Sequence, residues 1–418
     1  MRVRLSPPEN DELTIGVEEE FILADPATGG VALAAPRMLQ LLDGEPAVMP
    51  EFLRFQIETA TGIHTRLDGL RSELLALRGL VADAASHAGC LLLASGTPPY
   101  GDLPGPSGVT AEPRYQALAA RFPALAAEAG TCACHVHVGI PSAALGVRVL
   151  AGLRPWLAPL LAISANSPFV RGADSGWASR RYPLWSRWPT AQPPLDWPDA
   201  AAYTASVDDA VRRGEAMDAH GVYFYARLSP KHPTVEIRIA DVGSTAEDAV
   251  LLAGLVRALV VTILAELRAG VAPRPVRTSP VAASLTDAAR GGCPGQGIDP
   301  FTGAVVPQQL MVSRLLDYVG PALRANGDLA TIERQFSVVR AGETGAARQR
   351  ALFAAADSPA AFVAKLASAT LAGTASGKVV VAADRAPVTP LAPRPGTRGQ
   401  RRDSPSSDHP GRAGRLGR

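Results

Sequence analysis

The sequence predicts an α+β protein with a largely antiparallel sheet that is covered by helices, and with a helical C-terminal third. Two observations predict this class. Strand-like runs are spaced irregularly among long helical segments, and the steady strand–helix–strand alternation that produces a parallel sheet is missing from the sequence. With 418 residues, of which 47% are hydrophobic and 19% charged, the chain can bury a large core.

Short β-like runs occur along most of the chain, and we predict strands at five of them. The predicted strands are Leu13–Ala24, Phe52–Thr61, Cys90–Ser95, Cys132–Ile140 and Thr234–Val242.

Helices are predicted from apolar residues that recur every three or four positions. This spacing runs from Leu67 to Val81, and Gly89 follows as a stop signal. The predicted helices of the C-terminal third are Gln308–Leu323, Thr344–Ala355 and Pro359–Leu371.

The most apolar stretch of the chain is Ala249–Leu267. Ser244 and Glu247 have the spacing of a capping box ahead of it. Because the stretch contains Arg257 and is flanked by charged residues, we expect a buried helix and no membrane span.

The net charge of +2 combines two unlike parts of the chain. Residues 388–418 hold seven arginines and two aspartates, whereas residues 1–387 carry a net charge of −3. We predict one domain over 1–387 and a disordered basic tail, rich in Pro, Arg, Gly and Ser, over 388–418. The overall field is too weak to indicate nucleic acid, although a nucleic-acid protein that uses the arginine tail is one alternative.

The four cysteines, Cys90, Cys132, Cys134 and Cys293, are too few and too scattered for a disulfide scaffold. The N-terminal residues MRVRLSPPENDE lack the apolar segment of a signal peptide. We therefore expect a protein of the reducing cytoplasm.

Alternate residues of a strand face opposite sides of a sheet, and three of the predicted strands then carry a polar face. In the first strand, Glu18 and Glu20 share one face, while Glu19 falls on the mostly apolar face and has no assigned role. The fourth strand places His135 and His137 on one face.

The fourth strand leaves a zinc site as an alternative, because Cys132, Cys134, His135 and His137 offer four ligands within six residues. A non-catalytic zinc-binding protein is therefore one hypothesis. Alternation argues against it, because the cysteines and the histidines point to opposite faces. We interpret the cysteines as core residues.

Glu236 and Arg238 share the polar face of the fifth strand, and Gln56 and Glu58 are in phase on the second. Carboxylates with an imidazole and an arginine on one sheet face suit Mg²⁺ or Mn²⁺ together with phosphate. The sequence contains no Walker A motif, no GxGxxG after a strand and no GxSxG. We therefore predict an ATP site built on the sheet.

At these residues the sequence resembles the carboxylate–amine ligases of the YbdK type, also called type 2 glutamate–cysteine ligases. Nine motifs match in order from about Leu13 to Leu371. They are GVEEEF (16–21), QIETAT (56–61), ASGTPP (94–99), EPRY (112–115), HVHVG (135–139), SANSPF (164–169), SGWASRR (175–181), TVEIR (234–238) and ARQR (347–350). The resemblance implies a glutamine synthetase-like fold, with an antiparallel sheet whose concave face holds metal ions, ATP and glutamate.

The resemblance also implies roles for individual residues. Its metal ligands are Glu18, Glu20, Glu58, His137 and Glu236. Arg238 and Arg181 match catalytic positions, and Arg238 and Arg227 match contacts to ATP. A structural ion pair is the alternative for Arg181. One departure stands out, since Pro98 occupies the place of a family histidine.

The activity implied is ATP-dependent ligation of the γ-carboxylate of glutamate to cysteine through an acyl phosphate, with Mg²⁺ or Mn²⁺ as cofactor. A ligase of the same family with another acid or amine is the alternative within the class. As partners we expect small-molecule substrates, with no nucleic acid and no membrane, and a homodimer is the candidate assembly.

Overall fold

The sheet follows from alternation in its strands. In the computed structural model, which describes residues 13–374, the first strand alternates buried and partly exposed residues from Ile15 to Glu20. The strands are β1 (Ile15–Ala24), β2 (Val48–Pro50), β3 (Gln56–Ala60), β4 (Leu91–Leu93), β5 (Cys134–Gly139), β6 (Phe169–Val170), β7 (Ala173–Asp174), β8 (Ala226–Leu228), β9 (Thr234–Ile237), β10 (Gln296–Ile298) and β11 (Val305–Pro307).

Helices occupy most of the remaining described chain. They are α1 (Ala35–Leu41), α2 (Leu67–His87), α3 (Pro113–Arg121), α4 (Pro123–Ala126), α5 (Ala143–Leu153), α6 (Leu157–Ser164), α7 (Arg181–Trp185), α8 (Ala200–Arg212), α9 (Ala246–Arg268), α10 (Thr278–Gly291), α11 (Gln308–Ala325), α12 (Leu329–Arg340), α13 (Gly345–Ala354) and α14 (Pro359–Thr370). Short 3₁₀ turns lie at Gly105–Gly108, Arg154–Trp156 and Ala219–Gly221.

One antiparallel sheet organises the described residues. Its order is β2-β3-β1-β5-β9-β8, and β4 pairs with β1 beyond the end of the β1–β5 ladder. Helix α9 packs against β1 and β5, α5 packs against β8 and β9, and α2 packs against α9. The helices therefore bury the apolar face of the sheet, and the polar face is left to line a cavity. The predicted antiparallel α+β class is confirmed.

Helix α9 is the central helix of the core and matches the predicted buried helix, although its cap differs from the prediction. The capping box is formed by Thr245 and Asp248, one residue later than the predicted pair of Ser244 and Glu247. Thr245 is extended and its hydroxyl accepts from the Asp248 amide, while Asp248 accepts from the Thr245 amide. The two residues of the predicted pair make tertiary hydrogen bonds instead: the Ser244 hydroxyl donates to Asn166, and the Glu247 carboxylate accepts from Gln335.

Two stretches, Ala143–Ser164 and Ala246–Arg268, are long and apolar enough to cross a membrane. In both, 83% of the most apolar window is buried inside the protein. Helices buried in a protein core are also long and apolar, so packing in the core accounts for the length and hydropathy of these two stretches.

The predicted C-terminal helices correspond to α11, α13 and α14, while α12 has no counterpart in the prediction. The tail predicted over residues 388–418 lies outside the described residues. The boundary after residue 387 therefore stays a prediction.

Candidate functional site

Strand pairing brings the predicted acidic residues together on one face of the sheet. Across β1 and β3, Glu20 is opposite Glu58, and across β1 and β5, Glu18 is opposite His135. Glu18 Oε2 lies 3.1 Å from His135 Nδ1, and the Ala133 amide donates to Glu20 at 2.7 Å. The sequence predicts that alternate residues of each strand share a face, and the antiparallel registers of β1 with β3 and β5 place these side chains next to one another.

A second row of side chains crosses β5, β9 and β8. His137 is opposite Glu236, and Glu236 is opposite Arg227. Since Glu18 and His137 are diagonal neighbours on β1 and β5, this row meets the acidic row at the centre of the sheet.

Glu18, His137 and Glu236 form the group best suited to a metal ion within residues 13–374. One ligand atom from each residue lies within 4.8 Å of the others. His137 Nδ1 lies 2.9 Å from Thr234 Oγ1, whereas His137 Nε2 is buried without a hydrogen-bond partner and lies 3.4 Å from Glu18 Oε1. Two carboxylates and an orphaned imidazole nitrogen are a donor set that fits Mg²⁺ or Mn²⁺.

The carboxylates of this group are held in their ionised form. Burial opposes the charge of Glu18, but the hydrogen bond with His135 and the proximity of His137 keep the pKa of Glu18 well below its usual range. Burial likewise opposes ionisation of Glu236, and the charges of Arg238 and Arg227 lower its pKa. Both side chains are therefore anionic at neutral pH.

Glu58, on β3, has a contrasting environment. It belongs to the acidic floor of the cavity, by which we mean the sheet face that carries Glu18, Glu20, Glu58 and Glu236. Burial and the nearby carboxylates of Glu18, Glu51 and Glu20 raise the pKa of Glu58 well above its usual range. Burial also raises the pKa values of Glu20 and Glu51. Four carboxylates crowded in one cavity repel one another, which is the electrostatic condition that bound cations relieve. Glu51 was not predicted from the sequence, although it precedes the motif around Glu58.

Arg227 and Arg238 are both engaged with Glu236. The Arg227 guanidinium donates to the two Glu236 oxygens at 2.8 and 3.2 Å, and its third nitrogen donates to the carbonyls of His220 and Val222. Arg238 also donates to Glu236, and it lines the cavity together with Arg227. The predicted phosphate contacts therefore stand beside the predicted metal ligand.

Arg181 reaches the cavity from the start of α7, and its side chain is buried. Its two terminal nitrogens donate to the backbone carbonyls of Ile239 and Arg238 at 3.1 and 3.0 Å, and it stacks over Trp185. Asp241, 3.9 Å away, is the nearest acidic partner. The contacts tie Arg181 to the end of β9.

Walls from distant parts of the chain enclose a cavity of about 440 Å³ above the floor. Aromatic side chains form part of its lining, namely Phe52, Tyr115, Trp185, Trp188 and Tyr223. Charged side chains that the sequence did not single out also line it, namely Glu51, Glu112, Arg114, His220, Lys231 and His232. The motif EPRY, which contains Glu112, Arg114 and Tyr115, was the available signal for part of this wall.

Pro98, the departure from the family pattern, is buried and is not among the residues that line the cavity. Its neighbour Thr97 donates to the Phe169 carbonyl, and the Ser95 hydroxyl donates to the Thr97 carbonyl. Pro98 therefore packs in the interior of the protein and contributes no group to the cavity.

The cysteines face the core. Cys132 and Cys134 are fully buried, and the candidate metal group found within the described residues contains no cysteine. Burial raises the thiol pKa values of both residues well above the usual range. The interpretation of these cysteines as core residues agrees with this placement.

The model of glutamate–cysteine ligase family 2 matches residues 14–365. The chain belongs to this family. A Salinispora tropica protein named "Putative glutamate--cysteine ligase 2" is 42% identical over 351 residues, which are 84% of this chain and 92% of that protein. A Frankia alni protein named "Putative glutamate--cysteine ligase 2-2" is 41% identical over 357 residues, covering 82% of this chain and 92% of that protein. The predicted membership is confirmed, and with it an enzyme of the ATP-dependent ligase class.

Solved structures show the same fold at low sequence identity. Glutamate–cysteine ligase from Francisella tularensis, in complex with AMP, has a TM-score of 0.65 at 14% identity and covers 88% of this chain and 90% of that chain. A bifunctional glutathione synthetase from Pasteurella multocida has a TM-score of 0.59 at 14% identity and covers 86% of this chain and 52% of that chain. The sheet-based fold expected for the family is therefore the fold of this chain.

Proposed function

We propose that the cavity joins the γ-carboxylate of glutamate to the amine of cysteine with consumption of ATP, forming γ-glutamylcysteine, ADP and phosphate. The observation that carries this proposal is the meeting of Glu18, His137 and Glu236 with Arg227 and Arg238 in one cavity. The acids and the imidazole suit a cation, and the arginines suit phosphate oxygens. The names of the 42% and 41% identical relatives support the choice of substrates.

The proposed metal ligands are Glu18, His137 and Glu236, with Glu20 and Glu58 as further ligands on the same floor. Mg²⁺ or Mn²⁺ bound there supplies positive charge that offsets the phosphate oxygens of ATP. Glu18 and Glu236 contribute anionic oxygens, and His137 contributes the buried Nε2 that has no hydrogen-bond partner.

The reaction proceeds in two displacements. An oxygen of the substrate carboxylate attacks the γ-phosphorus of ATP, the bond to the bridging oxygen breaks, and ADP leaves. The amine nitrogen then attacks the acyl carbon, the bond from that carbon to the phosphate oxygen breaks, and the amine loses a proton. Arg238 and Arg227 stabilise the transferring phosphoryl group by charge and hydrogen bonding.

No protein nucleophile is required by this chemistry, and the cavity contains no cysteine or lysine in its floor. Arg181 donates to the carbonyls of Arg238 and Ile239, which directly follow β9, and it lines the cavity beside the acidic floor. We propose that it contributes positive charge from that position. ATP and free amino acids are cytoplasmic metabolites, so we place the reaction in the cytoplasm.

The experiment measures ADP release with glutamate, cysteine and Mg²⁺ for the protein and for Glu236→Gln and His137→Ala. We expect each variant to lose about a hundredfold or more in turnover while its circular dichroism stays unchanged. Glu215→Gln is the matched control, because Glu215 is a partly exposed carboxylate that lies outside the cavity and pairs with Arg213. Full turnover in Glu236→Gln would remove this residue from the site.

A screen of amino acids as acid and as amine, first with Mg²⁺ and then with Mn²⁺, tests the substrates separately. ADP release that requires glutamate and cysteine together supports the proposal. Release with another acid or another amine assigns the chain to the alternative within its family, and the cavity assignment survives.

A further inference from the structure

The loop between β8 and β9 brings a lysine to the mouth of the cavity. Its residues Ser229, Pro230, Lys231 and His232 all line the cavity. The Ser229 hydroxyl accepts from the amides of Lys231 and His232 at 3.3 Å, and the Ser229 amide donates to the Thr234 carbonyl at 3.0 Å. These bonds connect the loop directly to the strand that carries Glu236.

The other cations of the cavity each have an ion-pair or backbone partner, although the Nε atoms of Arg181 and Arg238 have none in the described chain, and the proposed function assigns Arg227 and Arg238 to phosphate. Arg227 and Arg238 contact Glu236, and Arg114 contacts Asp218 at 3.0 Å. The terminal nitrogens of Arg181 donate to backbone carbonyls. Within residues 13–374, the Lys231 ammonium has no acidic partner.

Lys231 shares the cavity with further charged side chains. His220, Arg114 and Glu112 line it as well, and Arg114 is paired with Asp218. Burial and the charges of Lys231 and Arg114 lower the pKa of His220, against the opposing charge of Asp218. The cavity thus carries basic side chains, Lys231 and Arg114, in addition to its acidic floor. An amino acid whose one carboxylate reacts at the floor can place a second carboxylate at this mouth.

The separation along β9 supports this arrangement. Thr234 contacts His137 on the floor side, and Glu236 lies two residues further along the same face, which is about 7 Å in a strand. The loop with Lys231 ends just before Thr234, so that Lys231 precedes by three residues the strand position that contacts His137. In an extended amino dicarboxylate of five carbons, the two carboxyl carbons are about 5 Å apart.

We propose that Lys231, assisted by His220, binds the non-reacting carboxylate of the acid substrate and so selects an α-amino dicarboxylate. This inference rests on the proposed function, because it assumes that the other carboxylate reacts at the floor. The compact charge of a lysine suits a single carboxylate oxygen. Lys231 is then a specificity-determining residue of the cavity mouth.

The test compares Lys231→Met, which keeps length and removes charge, with Lys231→Arg. Lys365→Met is the matched control, since Lys365, on α14, is the other lysine of the described chain and donates to the carbonyl of Ala355 at the end of α13. KM is measured separately for glutamate, cysteine and ATP. As a second acid we use 4-aminobutyrate, which is glutamate without its α-carboxylate.

We expect Lys231→Met to raise KM for glutamate about 10- to 100-fold and to leave KM for ATP and for cysteine within about twofold. The preference of the unmodified protein for glutamate over 4-aminobutyrate should shrink by the same factor. Lys231→Arg should recover part of the loss, and Lys365→Met should match the unmodified protein.

An unchanged KM for glutamate in Lys231→Met overturns the inference. A rise in KM for ATP alone assigns the mouth to phosphate, and a rise for cysteine alone assigns it to the amine substrate; either result also overturns it. If the unmodified protein releases no ADP with glutamate, the proposed reaction has failed. In that case the affinity for glutamate is measured by the quenching of Trp185 and Trp188 fluorescence. The inference stands only if glutamate binds to the unmodified protein and Lys231→Met weakens that binding about tenfold.

Discussion

Arg78 and Glu19 form a bidentate ion pair in the interior of the protein. The guanidinium of Arg78 meets the two Glu19 oxygens at 2.5 and 3.0 Å, and both side chains are at most 1% exposed. Arg78 also donates to the carbonyls of Gly243 and Thr370 at 2.9 and 3.1 Å. One side chain of α2 thereby connects β1, the loop before α9 and the end of α14, which explains the carboxylate on the apolar face of β1.

Removal of one partner of this pair should be costly, because the other charge stays buried without compensation. We expect Glu19→Leu to lower the free energy of unfolding by about 3–5 kcal/mol, as measured by urea denaturation. The double variant Glu19→Leu/Arg78→Leu should cost less than the sum of the two single variants. A loss below about 1 kcal/mol in Glu19→Leu would contradict the role given to the pair.

Thr234 should tune metal affinity through His137. The hydrogen bond between His137 Nδ1 and Thr234 Oγ1 orients the ring so that Nε2 lies 3.4 Å from Glu18 Oε1. We expect Thr234→Val to weaken Mn²⁺ binding, measured by calorimetry without ATP, by about 10- to 100-fold. Thr234→Ser keeps the hydroxyl and should bind as the unmodified protein does. Equal affinity in Thr234→Val and Thr234→Ser would show that the hydroxyl has no such effect.

Arg181 should contribute to stability as well as to the cavity. Its two hydrogen bonds to the carbonyls of Arg238 and Ile239 hold the chain that follows β9. We expect Arg181→Met to lower the free energy of unfolding by about 1–3 kcal/mol in urea titrations. A variant of unchanged stability that has lost turnover would instead place Arg181 in direct contact with substrate.

The thiols should be inert in the folded protein. Burial raises the pKa of Cys90 to about 11 and that of Cys293 to about 12. Because the thiolate is the reactive form, we expect no measurable alkylation by iodoacetamide between pH 7 and pH 9, and rapid alkylation in urea. The double variant Cys132→Ala/Cys134→Ala should bind Mn²⁺ and turn over as the unmodified protein does. Loss of a stoichiometric zinc ion in this variant would revive the zinc-binding alternative.

The polar faces of the strands could be predicted because alternation is a local property of an extended chain. The sequence therefore predicts that Glu18 shares a face with Glu20, His135 with His137, and Glu236 with Arg238, whatever the strand pairing. The predicted helix and strand positions also agree with the structure, apart from shifts at their ends, where capping depends on surroundings. At α9, for example, the N-cap is Thr245, whereas the predicted N-cap is Ser244.

Long-range contacts decided the rest. The order of the strands could not be predicted from the sequence: β1 lies between β3 and β5, and β5 lies beside β9. This order brings one ligand atom each of Glu18, His137 and Glu236 within 4.8 Å of one another. Other contacts also connect residues that are far apart in the chain. Glu19 pairs with Arg78, Arg181 donates to the carbonyl of Ile239, and Lys231 lines the same cavity as Glu18. By itself the sequence determined which side chains share a face, because backbone geometry alternates them. The tertiary structure decided which faces meet, because strand order and loop placement are set by packing of the whole core.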